Sequence, residues 1–221
     1  MPYLGPVAWA ASLGEGEHRQ AIENFATGAG FPIPLVRLVV LVEDKRFWVH
    51  PGTDPLAVLR AAYMNLRKRG RMQGGSTIPE QLLKLRSGLI DRTLSSRARR
   101  SLLALRLVTT THRYHLLNEY LQTVYLGRDS WGMKQAAENY FSKRVADITV
   151  AESFFLAERI ALPHQARAAR IRNLLLRPRV RAVIQAEIHQ LPGVYRACFA
   201  AEAGNSVARI LNQLPEPEHA R

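Results

Sequence analysis

A single cysteine, Cys198, excludes a disulfide within the chain and any cysteine-based metal centre. Long apolar runs are missing as well. Nothing approaches the roughly 18 uncharged apolar residues that mark a membrane-spanning helix. The N-terminal stretch MPYLGPVAWAASLGEGEHRQ has no basic n-region and no long apolar core, so it does not read as a signal peptide. There are no alternating strands joined by Asn-Gly or Asp-Gly hairpins, which argues against a β fold. Internal repeats and low-complexity tracts are absent too. Acids are scarce, 18 against 31 Lys and Arg, and the resulting net charge of +13 gives a strongly positive field. Such a field points to polyanionic partners: nucleic acid, anionic lipid head groups or phosphate-bearing substrates.

What is present suits one folded domain with appendages. Hydrophobic residues make up 47%, ample for a core, and charged residues 22%, too few for a disordered chain. The reading is all-α. A short apolar helix is expected over 34–43. A second starts at Asp54 with Pro55 at its first position, runs to about Arg69, and shows Leu56, Leu59, Tyr63 and Leu66 on one face. Further helices are expected at about 77–85, 93–111, 114–126 and 133–141. In the second of these Leu102, Leu103, Leu105 and Val108 are expected to face inward. TVAESFFLAERIAL opens on Thr149 three positions before Glu152, a capping box. The remainder is basic and helical, interrupted by Pro178 and Pro192, and ends in a polar tail.

Three stretches can carry chemistry. The first is Glu43-Asp44-x-x-Phe47-x-x-His50-x-Gly52. The second is Gly74-Gly75-Ser76-Thr77-Ile78-x-x-Gln81-x-x-Lys84. The third is the basic run from Arg92 through Arg97, Arg99 and Arg100 to Arg106. A carboxylate facing cations, hydroxyls and amides suits a substrate with a hydroxyl to deprotonate and a phosphate to leave. Taken alone, each piece has a plainer reading. Glu43-Asp44 would be a solvated helix end, His50 a structural histidine, Ser76-Thr77 a helix N-cap, and Lys84 and Arg92 surface charges. The third run has no interleaved aromatic to stack on bases, which argues against nucleic acid as a partner. A second basic run, Arg167 to Arg181, reads as a solvated or membrane-facing surface. His112 and His115 have no third ligand nearby in sequence.

The first stretch meets every fixed position of E-D-x-x-F-x-x-H-x-G, the first motif of the peptidoglycan glycosyltransferases, glycosyltransferase family 51. The second resembles that family's G-x-S-T-I-x-Q-Q motif and the lysine after it, with Glu80 in place of the first glutamine. EYLQTVYLG, WGMKQAAENYF and ITVAESFFLAERIALP resemble later family motifs in order and spacing. The resemblance covers about residues 33–180. It implies a lysozyme-like all-α domain at 32–180, preceded by an N-terminal extension at 1–31. A helical extension and polar tail would follow at 181–221. It also implies polymerisation of lipid II into glycan strands, with Glu43 as general base. Ser76, Gln81, Lys84 and Arg92 match positions that hold the donor's diphosphate and sugar, with Thr77, Arg97 and Arg100 beside them in the sequence. Asp44, Phe47 and His50 would shape the surroundings of the base.

One departure stands out. The family's third motif, R-x-x-x-R-K-x-x-E, keeps Arg92 here, but Ser96, Arg97 and Arg100 replace its remaining fixed residues. The second acid of the family is therefore an arginine. Asn118, Gln122 and Glu158 also depart from the usual residues. Two outcomes follow. Either Arg100 stabilises the departing diphosphate directly, or the chain binds lipid-linked precursor or partner synthases without turnover. No cofactor is required by these residues, and losing the acid weakens the case for a divalent cation such as magnesium or manganese. A lysozyme-like hydrolase fits less well, because a groove for diphosphate has no use in cutting a glycan. The implied partners are lipid II, the growing strand, a membrane surface and other cell-wall synthases. The implied place is the outer, periplasmic face of a bacterial inner membrane, held peripherally. RKRGRM at 67–72, with Tyr63, Leu66 and Met72 around it, is the stretch expected to meet anionic head groups.

Overall fold

The computed structural model describes residues 15–56, 58, 59, 63, 75–87 and 93–215, apart from the side chains of Glu15, Leu94 and Arg97. Among the described residues the regular structure is helical, and the only β pairing is an isolated bridge between Tyr125 and Trp131. No helix of the described residues is long and apolar enough to cross a membrane. The chain forms two compact units. One comprises Met1–Phe25 and Glu43–Thr123, the other Ala26–Val42 and Val124–Arg221.

In the first unit, helices Ile78–Ser87, Leu94–Thr110 and Arg113–Thr123 follow one another in sequence. Residues 55, 56, 58, 59 and 63 are helical as well. The last of the three named helices buries Leu116, Leu117, Tyr120 and Leu121 completely, at the expected helical spacing. Complete burial of a leucine-sized side chain is worth about 1.5–3 kcal/mol, so this face anchors the unit. Trp48 is enclosed as well, edge-on to Tyr114 at 5.5 Å, and Tyr114 meets Phe25 at 5.9 Å.

Helix Leu94–Thr110 corrects the sequence reading. Leu102, Leu103 and Leu105 are 68, 41 and 42% exposed, and the buried positions are Ala104 and Val108. Gly52 comes close on the inward side: a Cβ there would lie 2.4 Å from the Ala104 carbonyl oxygen, so the contact is made at a small residue. Leu56, Leu59 and Tyr63 also point outward, with Val58 beside them in sequence, while Leu66 lies outside the described residues.

The second unit is built around helix Val150–Arg159, in which every residue from Ala151 to Arg159 is buried. Thr149 and Glu152 form the capping box read from the sequence. Helices Ala168–Leu175, Pro178–Ile184, Leu191–Cys198 and Ala201–Asn212 follow. Pro178 and Pro192 sit in the first turns of their helices, where a missing N–H costs nothing. Gly204 lets the last two helices close on each other, since a Cβ there would meet the Pro192 carbonyl oxygen at 2.7 Å.

At the end of the central helix lies an enclosed charge cluster. Glu158 and Arg159 are both fully buried and paired, and the Tyr195 hydroxyl donates to Glu158 Oε2 at 3.2 Å. Arg170 Nε stands 3.6 Å from Glu158 Oε1. Arg159 also lies over the rings of Phe199 and Phe155, at 4.6 and 5.4 Å. Burial pushes the Glu158 carboxyl upward, and Arg159 opposes it. Removing one partner of an enclosed ion pair strands the other. Glu158→Ala should therefore lower unfolding free energy by about 3–5 kcal/mol, read from the urea midpoint.

Candidate functional site

Glu43 is the last residue of helix Ile33–Glu43. The apolar run before it supplies buried Leu35, Val36, Leu38, Val39 and Val40. A helix C-terminus gathers partial negative charge, so a carboxylate there needs a donor from elsewhere. Gln81 provides one. Its Nε2 donates to Glu43 Oε2 at 3.1 Å, and its Oε1 accepts from the Tyr120 hydroxyl at 2.8 Å. Tyr120 is fully buried, and its phenol is raised well above the ordinary value by burial first, then by the charges of Glu43 and Asp44.

Asp44 turns inward. Its Oδ2 accepts from His50 Nε2 at 2.8 Å and from the backbone N–H of Ile78 at 3.0 Å. Ile78 is the first residue of helix Ile78–Ser87, so the carboxylate also meets the positive end of that helix. His50 Nδ1 accepts from the Gly52 N–H at 3.1 Å, which fixes the ring proton on Nε2, facing Asp44. Both ring nitrogens of His50 are thus engaged, and its side chain is enclosed. Phe47 is enclosed too, 4.9 Å from the Trp48 ring.

Thr77 ties the second motif to the first. Its hydroxyl donates to the Gly52 carbonyl at 2.6 Å, and its N–H donates to Glu80 Oε2 at 3.2 Å. Glu80 N–H reaches back to Thr77 Oγ1 at 3.4 Å, and Ser101 Oγ donates to Glu80 Oε1 at 2.9 Å. The unexpected glutamate is thus a buried structural acceptor, bridging to helix Leu94–Thr110. Ser76 and Lys84 meet each other, Nζ to Oγ at 3.2 Å.

The expected residues therefore fall into distinct groups. Glu43 with Gln81 forms one; Asp44, His50 and Thr77 form a second, joined at Gly52; Ser76 with Lys84 forms a third. Arg100 Nη1 donates to Ser96 Oγ at 3.3 Å, one turn back on its own helix. Arg92 and the Arg97 side chain lie outside the described residues. Among the described residues no group of three or more His, Cys, Asp and Glu could hold a metal ion.

Sequence reasoning passed over Arg113 and Tyr120 as members of the site. Arg113 is 5% exposed, and its guanidinium donates to the carbonyls of Phe47 and His50. Burial pushes it down to about 10, with Asp44 opposing, so it stays charged at neutral pH. Its position at the head of an apolar helix gave no hint of this, because the partners are backbone atoms. Glu119, one residue before Tyr120, is held by Arg86 through contacts of 2.7 and 2.5 Å. The Arg86 guanidinium, hydrogen-bonded to it, lowers the Glu119 carboxyl.

Comparison with known proteins identifies the family. The transglycosylase family model matches residues 11–187. Penicillin-binding protein 1A of Aquifex aeolicus is 36% identical over 153 residues, covering 66% of this chain and 21% of that protein. The protein of the same name from Streptococcus oralis is 35% identical over 137 residues, covering 61% and 22%. That from Haemophilus influenzae is 33% identical over 129 residues, covering 58% and 15%. The chain spans about a fifth of the length of such curated relatives.

Gly52 has φ +112°, and its Cα faces the backbone of Ala104 and Leu105. A side chain there is strained by conformation and by contact at once. Gly52→Ala should cost more than about 1 kcal/mol of stability, checked by thermal and urea unfolding.

Proposed function

The chain belongs to the transglycosylase family, and from that premise we propose that it polymerises lipid II into peptidoglycan glycan strands. The observation that carries the reading is the Glu43 carboxylate. It sits at the end of a buried helix, receives an amide donor from Gln81, and opens a stretch that meets every fixed residue of the family's first motif. Glu43 takes the proton of the 4-hydroxyl on the acceptor's terminal sugar. That oxygen forms a bond to the anomeric carbon of the polyprenyl-linked donor as the bond to the diphosphate breaks. Gln81 then steadies the base, and Asp44, Phe47 and His50 hold its segment in place.

The departing diphosphate carries growing negative charge, and the surrounding residue types suit it. Lys84 and Ser76 share one spot, and Arg92, Arg97 and Arg100 form a cationic series in sequence. Arginine binds phosphate oxygens in pairs and stays charged at any working pH. Where the family has its second acid this chain has Arg100, whose guanidinium rests on Ser96 Oγ. Cationic side chains offer no ligands to a divalent ion, so these residues do not fit one. That same exchange supports a second reading, a homologue that binds precursor or partner synthases without turnover.

Substrates anchored by a polyprenyl chain lie in a bilayer, so the enzyme works at a membrane surface. Exposed Leu56, Leu59, Tyr63, Leu102, Leu103 and Leu105 in the first unit support this, as do the basic residues of 67–72, which lie outside the described residues. A bacterial membrane's outer face is the place this reading implies.

With labelled lipid II, the purified protein should form polymer equally with and without EDTA, and Glu43→Gln should abolish it. Full activity in that variant would remove Glu43 as the base, and binding without polymer would favour the second reading. In vesicle sedimentation, anionic lipid should raise the bound fraction, and Leu102→Ser with Leu105→Ser should lower it at unchanged melting temperature.

A further inference from the structure

We propose that Tyr120 is a positioning residue for Glu43, acting through the carboxamide of Gln81. The inference rests on the reading of Glu43 as the base and adds a residue that no motif above assigns to the reaction.

A carboxamide has a donor end and an acceptor end of nearly the same shape. Which end faces Glu43 decides what it does there. The Nε2 end donates to a carboxylate and favours the ionised base. The Oε1 end would repel a carboxylate, and it would accept from a protonated Glu43 and so favour the spent form. The observed amide presents Nε2 to Glu43 at 3.1 Å and Oε1 to the Tyr120 hydroxyl at 2.8 Å. Tyr120 is fully enclosed, on the same helix as the buried Leu116, Leu117 and Leu121, and its hydroxyl is placed by its bond to Gln81. The phenol keeps its proton, and that proton lies on the line to Gln81. After Glu43 has taken the acceptor's proton, turning of the amide would trap it. A phenol is a better donor than acceptor, so the Tyr120 hydroxyl favours the orientation with Oε1 toward it, and the base is ready to release its proton.

The helix carrying Tyr120 is itself pinned. Arg113 at its start bonds the carbonyls of Phe47 and His50, and Glu119 is clamped by Arg86. The hydroxyl is therefore held from the same helix that holds the segment after Glu43. The other titratable and charged groups in this region, Asp44, His50, Glu80, Lys84 and Arg113, have partners of their own that a change at Tyr120 leaves in place.

The test is the titration of the Glu43 carboxyl carbon, followed by 13C NMR in protein labelled at glutamate and assigned with Glu43→Gln. Tyr120→Phe should move the midpoint upward. The same substitution placed on Gln81→Met should move it no further. An unchanged midpoint, or an equal shift in both backgrounds, overturns the proposal, because either result makes Tyr120 a packing residue only. Polymerisation gives a second reading: Tyr120→Phe should lower kcat roughly three- to tenfold with KM unchanged, the size of one neutral hydrogen bond. If Tyr120→Phe fails to fold, 3-fluorotyrosine placed at 120 keeps the shape and strengthens the donor. It should then move the midpoint downward, and no movement overturns the idea. Loss of activity in Glu43→Gln with no effect at Tyr120 sinks only the relay, whereas activity retained in Glu43→Gln removes the base and the relay with it.

Discussion

The carboxylate of Asp44 is the joint on which the site depends. One oxygen takes two donors, the His50 ring and the first N–H of helix Ile78–Ser87. Those donors come from the two motifs, so a single buried anion sets their register. The arrangement is favourable because each charge-assisted bond is shielded from water, and because the helix N-terminus would otherwise leave that N–H unsatisfied. Glu43 precedes this anchor by one residue. Its freedom is thereby reduced to a few side-chain torsions, and Gln81 settles those.

Around that joint the first unit uses backbone atoms as freely as side chains. Thr77 and Arg113 both bind carbonyls of the 47–52 segment. Helix Arg113–Thr123 supplies a cation at its start and a hydroxyl near its end, and both reach the neighbourhood of Glu43 by way of other residues. The second unit solves a different problem. Its central helix is buried along its whole length, and an ion pair is enclosed at its end. Glu158, read from the sequence as a departure from the resembled pattern, meets Arg159, Arg170 and Tyr195, the last drawn from helix Leu191–Cys198.

The all-α class was legible because helical periodicity, capping residues and prolines agree along the chain. The capping box at Thr149 and the buried faces of 113–123 and 150–159 follow from local rules alone. Helix Leu94–Thr110 did not, because periodicity identifies an apolar stripe and cannot say whether protein covers it. The first motif named Glu43, Asp44 and His50 by residue type and spacing. Arg113 escaped because a buried arginine bonded to carbonyls leaves no pattern along the chain. Tyr120 lies in EYLQTVYLG, yet its residue type and spacing do not say that its hydroxyl meets the Gln81 amide. Glu80 was visible as a departure, yet its capping and bridging work became clear only with Thr77 and Ser101 in place.

The contact between Gly52 and the backbone at Ala104 has a consequence for how this surface can change over time. The site reads helix Leu94–Thr110 through a glycine, an alanine and Ser101, none of which faces outward with the leucines. The outward positions at 102, 103 and 105 are therefore decoupled from the placement of Glu43. Such a helix is a free canvas on one side and a fixed template on the other. Its exposed chemistry can drift to suit a new environment while the inner geometry is inherited unaltered.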